Sequence, residues 1–137
     1  MPPDPARAAE TREWLLRAAR DLAAGEHDLQ ASPPFAGDAA FHAQQAAEKA
    51  LKAFLVWRDE PFRKTHNLTE LGGSCVKLDA GLEPIVRPAS RLTEYAWKFR
   101  YPGEANEPPR AEAEEALSAA RAVYAAILTR LPKEARP

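Results

Sequence analysis

Apolar residues recur at three- and four-residue intervals in long runs, and no segment alternates β-branched with polar residues over a strand's length. That periodicity predicts helices throughout. Trp14, Leu15, Ala18, Ala19 and Leu22 mark a first helix, with Asp4 as its cap and Pro5 in the first turn, where a missing N–H costs nothing. The pattern fades from Gly25 to Gln30, and Ser32-Pro33-Pro34 breaks it. After a short loop holding Phe35 and Gly37, Asp38 is the expected cap of a second helix that runs to about Arg58. On a helical wheel Ala43, Ala46, Ala47, Ala50, Leu51, Phe54 and Trp57 share one broad face, while His42, Gln45, Glu48, Lys49 and Lys52 gather opposite. A face made of alanine lets a neighbouring backbone come close, which places this helix at the centre of the molecule.

Pro61 ends that helix, and Asn67-Leu68-Thr69-Glu70 has the spacing of a capping box for a short third one. Leu68, Leu71, Cys75 and Leu78 form its apolar stripe, weakened by the pair Gly72-Gly73. A fourth helix carrying Leu92, Tyr95, Ala96 and Phe99 is expected to begin near Pro88, because an interior proline breaks a helix. The proline-rich stretch FRYPGEANEPPR reads as a loop, long enough to suggest a use beyond connection. The last helix starts near Pro109, with apolar positions from Ala113 to Leu131, and residues 132–137 are expected to fray. No repeat or linker divides the chain. The expectation is one all-α domain over residues 1–137, with its core at about 5–131, folded as an up-and-down bundle of four to five helices.

Composition sharpens this picture. The 29 alanines favour helix, and 137 residues fit a single core, since domains most often run to roughly 100–150 residues. Nineteen basic against twenty acidic residues leave a net charge of -1, so there is no overall drive toward nucleic acid or an anionic membrane and any anion site must be local. Cys75 is the single cysteine, which excludes an internal disulfide framework and suggests a buried thiol. The opening residues lack a secretory pattern and no apolar run approaches the ~20 residues of a membrane span, so a cytoplasmic location is expected. No P-loop, Gly-x-Gly-x-x-Gly, His-Glu-x-x-His or Gly-x-Ser-x-Gly pattern occurs, and His27, His42 and His66 are not at metal-ligand spacing. Neither a metal nor a cofactor is expected.

Three groups of residues could carry chemistry. His42, Gln45, Lys49 and Lys52, spaced three, four and three apart, offer cationic and amide donors to a phosphate or to another chain's carboxylates; equally, Glu48 with Lys52 is an ordinary i,i+4 pair on a solvated face. Arg63-Lys64-Thr65-His66-Asn67 places cations, a hydroxyl and an imidazole before a helix N-terminus, where free N–H groups favour an anion, or else Thr65 and His66 simply cap the loop. Arg100-Tyr101-Pro102, after Tyr95, Trp97 and Phe99, could clamp a phosphate while Tyr101 stacks on a base, or could pack beneath the loop.

The order FHAQQAAEKALKA at 41–53, KTHNL at 64–68 and RYP at 100–102 resembles the HEPN domain family over about Trp14 to Leu131. The resemblance implies a helical bundle that commonly forms a homodimer. Its members are associated with nucleotide binding, RNA cleavage, toxin and antitoxin pairs, and a minimal nucleotidyltransferase partner. Residue by residue, the family's recurrent positions fall on His42, Gln45, Glu48, Lys49, Lys52, Thr65, His66, Arg100 and Tyr101. Ribonuclease members carry an arginine and a histidine with about four to six residues between them. Here Ala105, Asn106 and Glu107 occupy those places after Arg100, and no histidine follows His66. Without an imidazole there, a ribose hydroxyl has no evident general base. The first expectation is therefore a non-catalytic protein that binds a nucleotide, RNA or a nucleotidyltransferase. A metal-independent endoribonuclease using Arg100 with His42 or His66 is the alternative, and a purely structural dimeric adaptor the third.

Overall fold

The computed structural model describes residues 4–103 and 106–137; residues 1–3, and Glu104 and Ala105 of the expected 99–110 loop, lie outside the described residues. Among the described residues five α-helices follow one another: α1 Pro5–Gln30, α2 Ala36–Trp57, α3 Leu68–Leu78, α4 Glu83–Ala89 and α5 Arg110–Leu128. The protein is all-α, with no strand among the described residues. None of these helices is long and apolar enough to cross a membrane.

Helix α2 is the axis of the bundle, packed chiefly against α1 and α5. Its alanines from Ala39 to Ala53 are fully buried, with Leu51, Phe54 and Leu55 completing the core. The covering extends beyond the alanine face, because Gln44, Glu48 and Lys52 are buried too. Close approach also explains why α1 does not end where its pattern fades. A β-carbon on Gly25 would lie 2.7 Å from the Leu117 Cδ2 atom of α5 and 3.3 Å from the Ala39 carbonyl of α2, so only glycine lets the three helices meet there.

Several expected boundaries change. Asp38 does not cap α2: Phe35 holds that position without a side-chain cap bond, and the Gly37 N–H donates instead to the Glu107 carboxylate at 2.6 Å. A distant glutamate takes the cap's task, leaving Asp38 inside the first turn. Pro88 lies within α4 rather than starting a helix, since in a seven-residue element its missing N–H forfeits a single bond. Beyond Ala89 the chain tightens into a 3-10 helix, Ser90–Ala96, whose buried Leu92 and Tyr95 are three apart, one turn of that tighter helix. The Tyr95 hydroxyl donates to Glu112 of α5 at 2.6 Å. The end of the chain, expected to fray, forms a further 3-10 turn, Lys133–Ala135, with Ala135 fully buried. Arg12 of α1 holds the Glu134 carbonyl, and Arg136 Nε donates to the Leu131 carbonyl at 2.9 Å.

Candidate functional site

The polar strip of α2 is not a solvated face. Lys49 Nζ lies 2.6 Å from Asp21 Oδ2 and His42 Nδ1 lies 2.8 Å from Asp21 Oδ1, so one carboxylate of α1 draws both residues inward. Next to Lys49 in the chain, Glu48 Oε2 takes Lys52 Nζ at 2.9 Å while its Oε1 takes His66 Nδ1 at 2.8 Å and Gln44 Nε2 at 3.0 Å. Gln44 also donates to the His66 carbonyl at 3.2 Å, and Gln45 Nε2 donates to Gln44 Oε1 at 2.7 Å. The strip is thus a hydrogen-bonded seam joining α2 to α1 and to the linker before α3. Such a seam is stable only if every buried member is satisfied, and Glu48 and Lys52 are, with side chains 5% and 9% exposed.

Electrostatics follow the contacts. Burial acts to raise the Glu48 pKa, but hydrogen bonds from Lys52, His66 and Gln44 overcome it and hold the group below its ordinary value. Asp21 behaves likewise: burial raises it, and His42 and Lys49 more than reverse that. The Asp21 hydrogen bond raises the His42 pKa against the pull of burial. Lowered carboxylates contribute stability that is present above the unfolded pKa of about 4 and lost as pH falls through the folded values. His42 works in the opposite sense, its contribution complete below about pH 6.5 and lost as pH rises through its folded value. Urea midpoints measured across the pH range should therefore fall on the acid side, and less steeply in Asp21→Asn than in wild type.

The linker differs from its expected form. Every N–H at the start of α3 already has an acceptor: Asn67 N–H on Thr65 Oγ1, Leu68 N–H on Thr93 Oγ1, and the N–H groups of Thr69 and Glu70 on Asn67 Oδ1. No free N–H waits there for an anion. Asn67 is the cap, but the reciprocal half of the capping box is not made, because Glu70 is taken by Arg63 in a bidentate pair at 2.7 and 2.8 Å. Lys64, by contrast, enters no ion pair among the described residues and is exposed. Lys52, Lys64, Thr65 and His66 meet at one cavity of about 480 Å3, whose remaining walls are Trp14 and Phe62. The two rings stand edge to face, 6.4 Å apart, and Lys52 Nζ sits 5.6 and 5.7 Å from their centres. The His66 side chain is 65% exposed; with Nδ1 held by Glu48, its Nε2 is left to the cavity side or to solvent.

Arg100 and Tyr101 are elsewhere. Phe99 adopts φ 68°, where a β-carbon is disfavoured, and the chain turns so that the Arg100 guanidinium lies 3.9 Å from the centre of the Phe41 ring and donates to the Ala96 carbonyl at 3.2 Å. Tyr101 is exposed. The cavity beside Arg100, about 530 Å3, is lined by Asp28, Asp38 and Glu107 as well as Phe35, Gly37 and Phe99. Three carboxylates against one guanidinium make poor surroundings for a phosphate. Within this group burial and the neighbouring Asp38 push the Asp28 pKa up to about 6. His42 cannot serve as a base for Arg100 either, since its second nitrogen, Nε2, faces Asp38 Oδ2 at 3.5 Å.

The eight predicted residues thus divide into an internal seam (His42, Gln45, Lys49), a cavity (Lys52, Thr65, His66) and a separate surface (Arg100, Tyr101). Sequence reasoning missed Asp21, Gln44 and Phe62, and it assigned Trp14 to the core alone. Their roles arise from contacts between helices, and only the position of Phe62 in the linker next to Arg63-Lys64 hinted at them. Cys75 carries no chemistry: its thiol is buried, and burial pushes it up to about 12.

Residues 11–131 match the family model described as the HEPN domain. Comparison with curated proteins finds no match. Among solved structures the chain is similar to the crystal structure of TT1696 from Thermus thermophilus, at 31% identity and a TM-score of 0.72, with 88% of this chain and 98% of that chain covered.

Proposed function

This chain belongs to the HEPN domain family, and on that premise we propose that it is a non-catalytic member that binds a nucleotide or an RNA end in the cavity beside the linker. The observation that carries the reading is the convergence of Trp14 and Phe62 with Lys64, Thr65 and His66 around one space, with Lys52 fixed behind the rings. A base would lie against the aromatic walls, and its phosphate would meet Lys64, His66 and the Thr65 hydroxyl, whose oxygen accepts from Asn67 while its proton is free to donate. Lys49 and Lys52 are committed to carboxylates and act by holding the frame.

Calorimetry with AMP, ADP, GMP and a short single-stranded RNA tests this on the whole protein. Wild type should bind at least one of them, and Lys64→Ala and His66→Ala should each weaken binding by roughly 10-fold or more, the range of a charge-assisted hydrogen bond. Arg100→Ala should leave it unchanged. No binding by wild type, or equal binding by the two linker variants, removes the site.

A second reading rests on the Glu48–His66 contact of 2.8 Å. A buried carboxylate that fixes Nδ1–H of a half-exposed imidazole leaves Nε2 as a general base, as in a metal-independent endoribonuclease. It predicts RNA cleavage in EDTA that His66→Gln abolishes. Intact RNA after long incubation at high protein concentration excludes it.

A further inference from the structure

A phosphate in the linker cavity and the buried Glu48 would make opposing demands on one imidazole. On one side of His66, Nδ1 lies 2.8 Å from Glu48 Oε1. Glu48 also receives Lys52 Nζ at 2.9 Å and Gln44 Nε2 at 3.0 Å, and these donors keep it ionised, so it can only accept. Nδ1 therefore carries a hydrogen. On the other side a phosphate seated beside Lys64 and Thr65 would meet Nε2, and its charged oxygens are acceptors too.

A neutral imidazole has one N–H and one lone pair, and cannot serve both partners. With the hydrogen on Nδ1 it turns a lone pair on the phosphate; with the hydrogen on Nε2 it sets a lone pair against a carboxylate whose side chain is only 5% exposed. Only the imidazolium donates to both. The charges around the cavity decide when it forms. Helix α1 brings Trp14, which is uncharged; α2 brings Glu48 and Lys52, which offset one another; the linker brings Lys64, and its other cation, Arg63, is bound to Glu70 of α3. Lys64 opposes a further positive charge on His66, and a phosphate beside it reverses that.

We propose that a nucleotide phosphate enters the linker cavity together with one proton, taken from solvent at His66 Nε2, and that Glu48 is the positioning residue that makes this proton obligatory. Resting on the nucleotide site proposed for this cavity, the coupling makes affinity depend on pH. Glu48 itself touches no ligand. It acts through His66, by claiming the hydrogen of Nδ1 and leaving Nε2 without one until the second proton arrives.

Calorimetry on the full chain tests this with AMP and with the methyl ester of AMP, whose single phosphate charge does not titrate near neutrality. Any proton taken up with the ester therefore belongs to the protein. Between pH 6.5 and 8.5 the affinity of wild type for the ester should fall, toward about 10-fold per pH unit, and at pH 8 its binding heat should differ between Tris and HEPES as the uptake of about one proton requires. In Glu48→Gln the carboxamide can turn its NH2 to Nδ1, so that a neutral imidazole keeps its hydrogen on Nε2 for the phosphate. That variant should still bind the ester, with a much flatter pH profile, whereas a merely structural Glu48 would leave the slope unchanged. His66→Gln replaces a side chain that is 65% exposed, and should bind about 10-fold more weakly than wild type at pH 6.5 with no pH slope. Circular dichroism checks both variants, and if Glu48→Gln does not fold, His66→Gln and the buffer comparison decide. If wild type binds neither compound, the nucleotide site is refuted and the coupling with it. If AMP binds and its ester does not, or if the ester binds with a flat pH profile and equal heats in both buffers, the site stands and the coupling is overturned.

Discussion

Glu48→Ala should unfold at a much lower urea concentration than wild type, with an expected loss of about 3–5 kcal/mol, the cost of breaking a buried pair from one side. The single change strands three groups. Lys52, 9% exposed, would keep its charge with only the Trp14 and Phe62 rings near it, while Gln44 Nε2 and His66 Nδ1 would lose their shared acceptor. The paired variant Glu48→Leu with Lys52→Met removes both charges at similar volume and should recover most of the loss, because replacing a buried ion pair with apolar side chains is often close to neutral. Equilibrium urea unfolding of the single and double variants measures both. A cost below about 1 kcal/mol for the single variant would mean that Lys52 escapes to solvent, as an exposed pair would allow.

Phe54→Ala is the second large effect, about 3–5 kcal/mol for a fully buried ring removed from a close-packed interior. Phe54 is the largest side chain of the inner core, 1% exposed, at the end of α2 where the alanines give way to bulk. It lies under the Arg58 guanidinium, 5.6 Å from the ring centre. Ala50, one turn before it on α2 and fully buried, has little side chain with which to fill the vacated volume, so the cavity should collapse only partly. Phe54→Leu, which keeps most of the apolar bulk, should cost much less in the same urea experiment.

The elements that sequence reasoning placed well are those whose signals are local. Asp4 with Pro5, the alanine face of α2, Asn67 as a cap and Pro109 before α5 each rest on interactions within a few residues, and all four stand as expected. What was not legible depends on long-range pairing. The strip His42, Gln45, Lys49 and Lys52 looks solvated on a wheel because its partners are elsewhere: Asp21 is 28 residues from Lys49, and His66 is 18 from Glu48. A periodicity plot sees that the residues are polar and cannot see that another helix carries the complementary charge. Pro88 misled for a related reason, since the rule against interior proline assumes that many bonds lie beyond it, and α4 has almost none.

The same distinction separates the predicted site residues. Proximity in sequence made Arg63 and Lys64 equivalent and made Arg100 the natural phosphate anchor. In the fold Arg63 belongs to Glu70, Arg100 looks into a cavity with three carboxylates, and Lys64 keeps an open charge beside two rings. The chain's membership in the HEPN family holds, as the resemblance implied. Membership alone does not distinguish the residues that build the frame from those proposed to face a ligand.

The central claim is that the linker cavity, and not the Arg100 surface, receives the nucleotide. Amide and indole chemical shifts of isotope-labelled protein titrated with ADP test it most directly. The prediction is a saturating set of shifts at the Trp14 indole, Phe62, Lys64, Thr65 and His66, with Phe35, Arg100 and Tyr101 unmoved. Saturating shifts centred on Arg100 and Tyr101, with residues 62–66 unchanged, would contradict it.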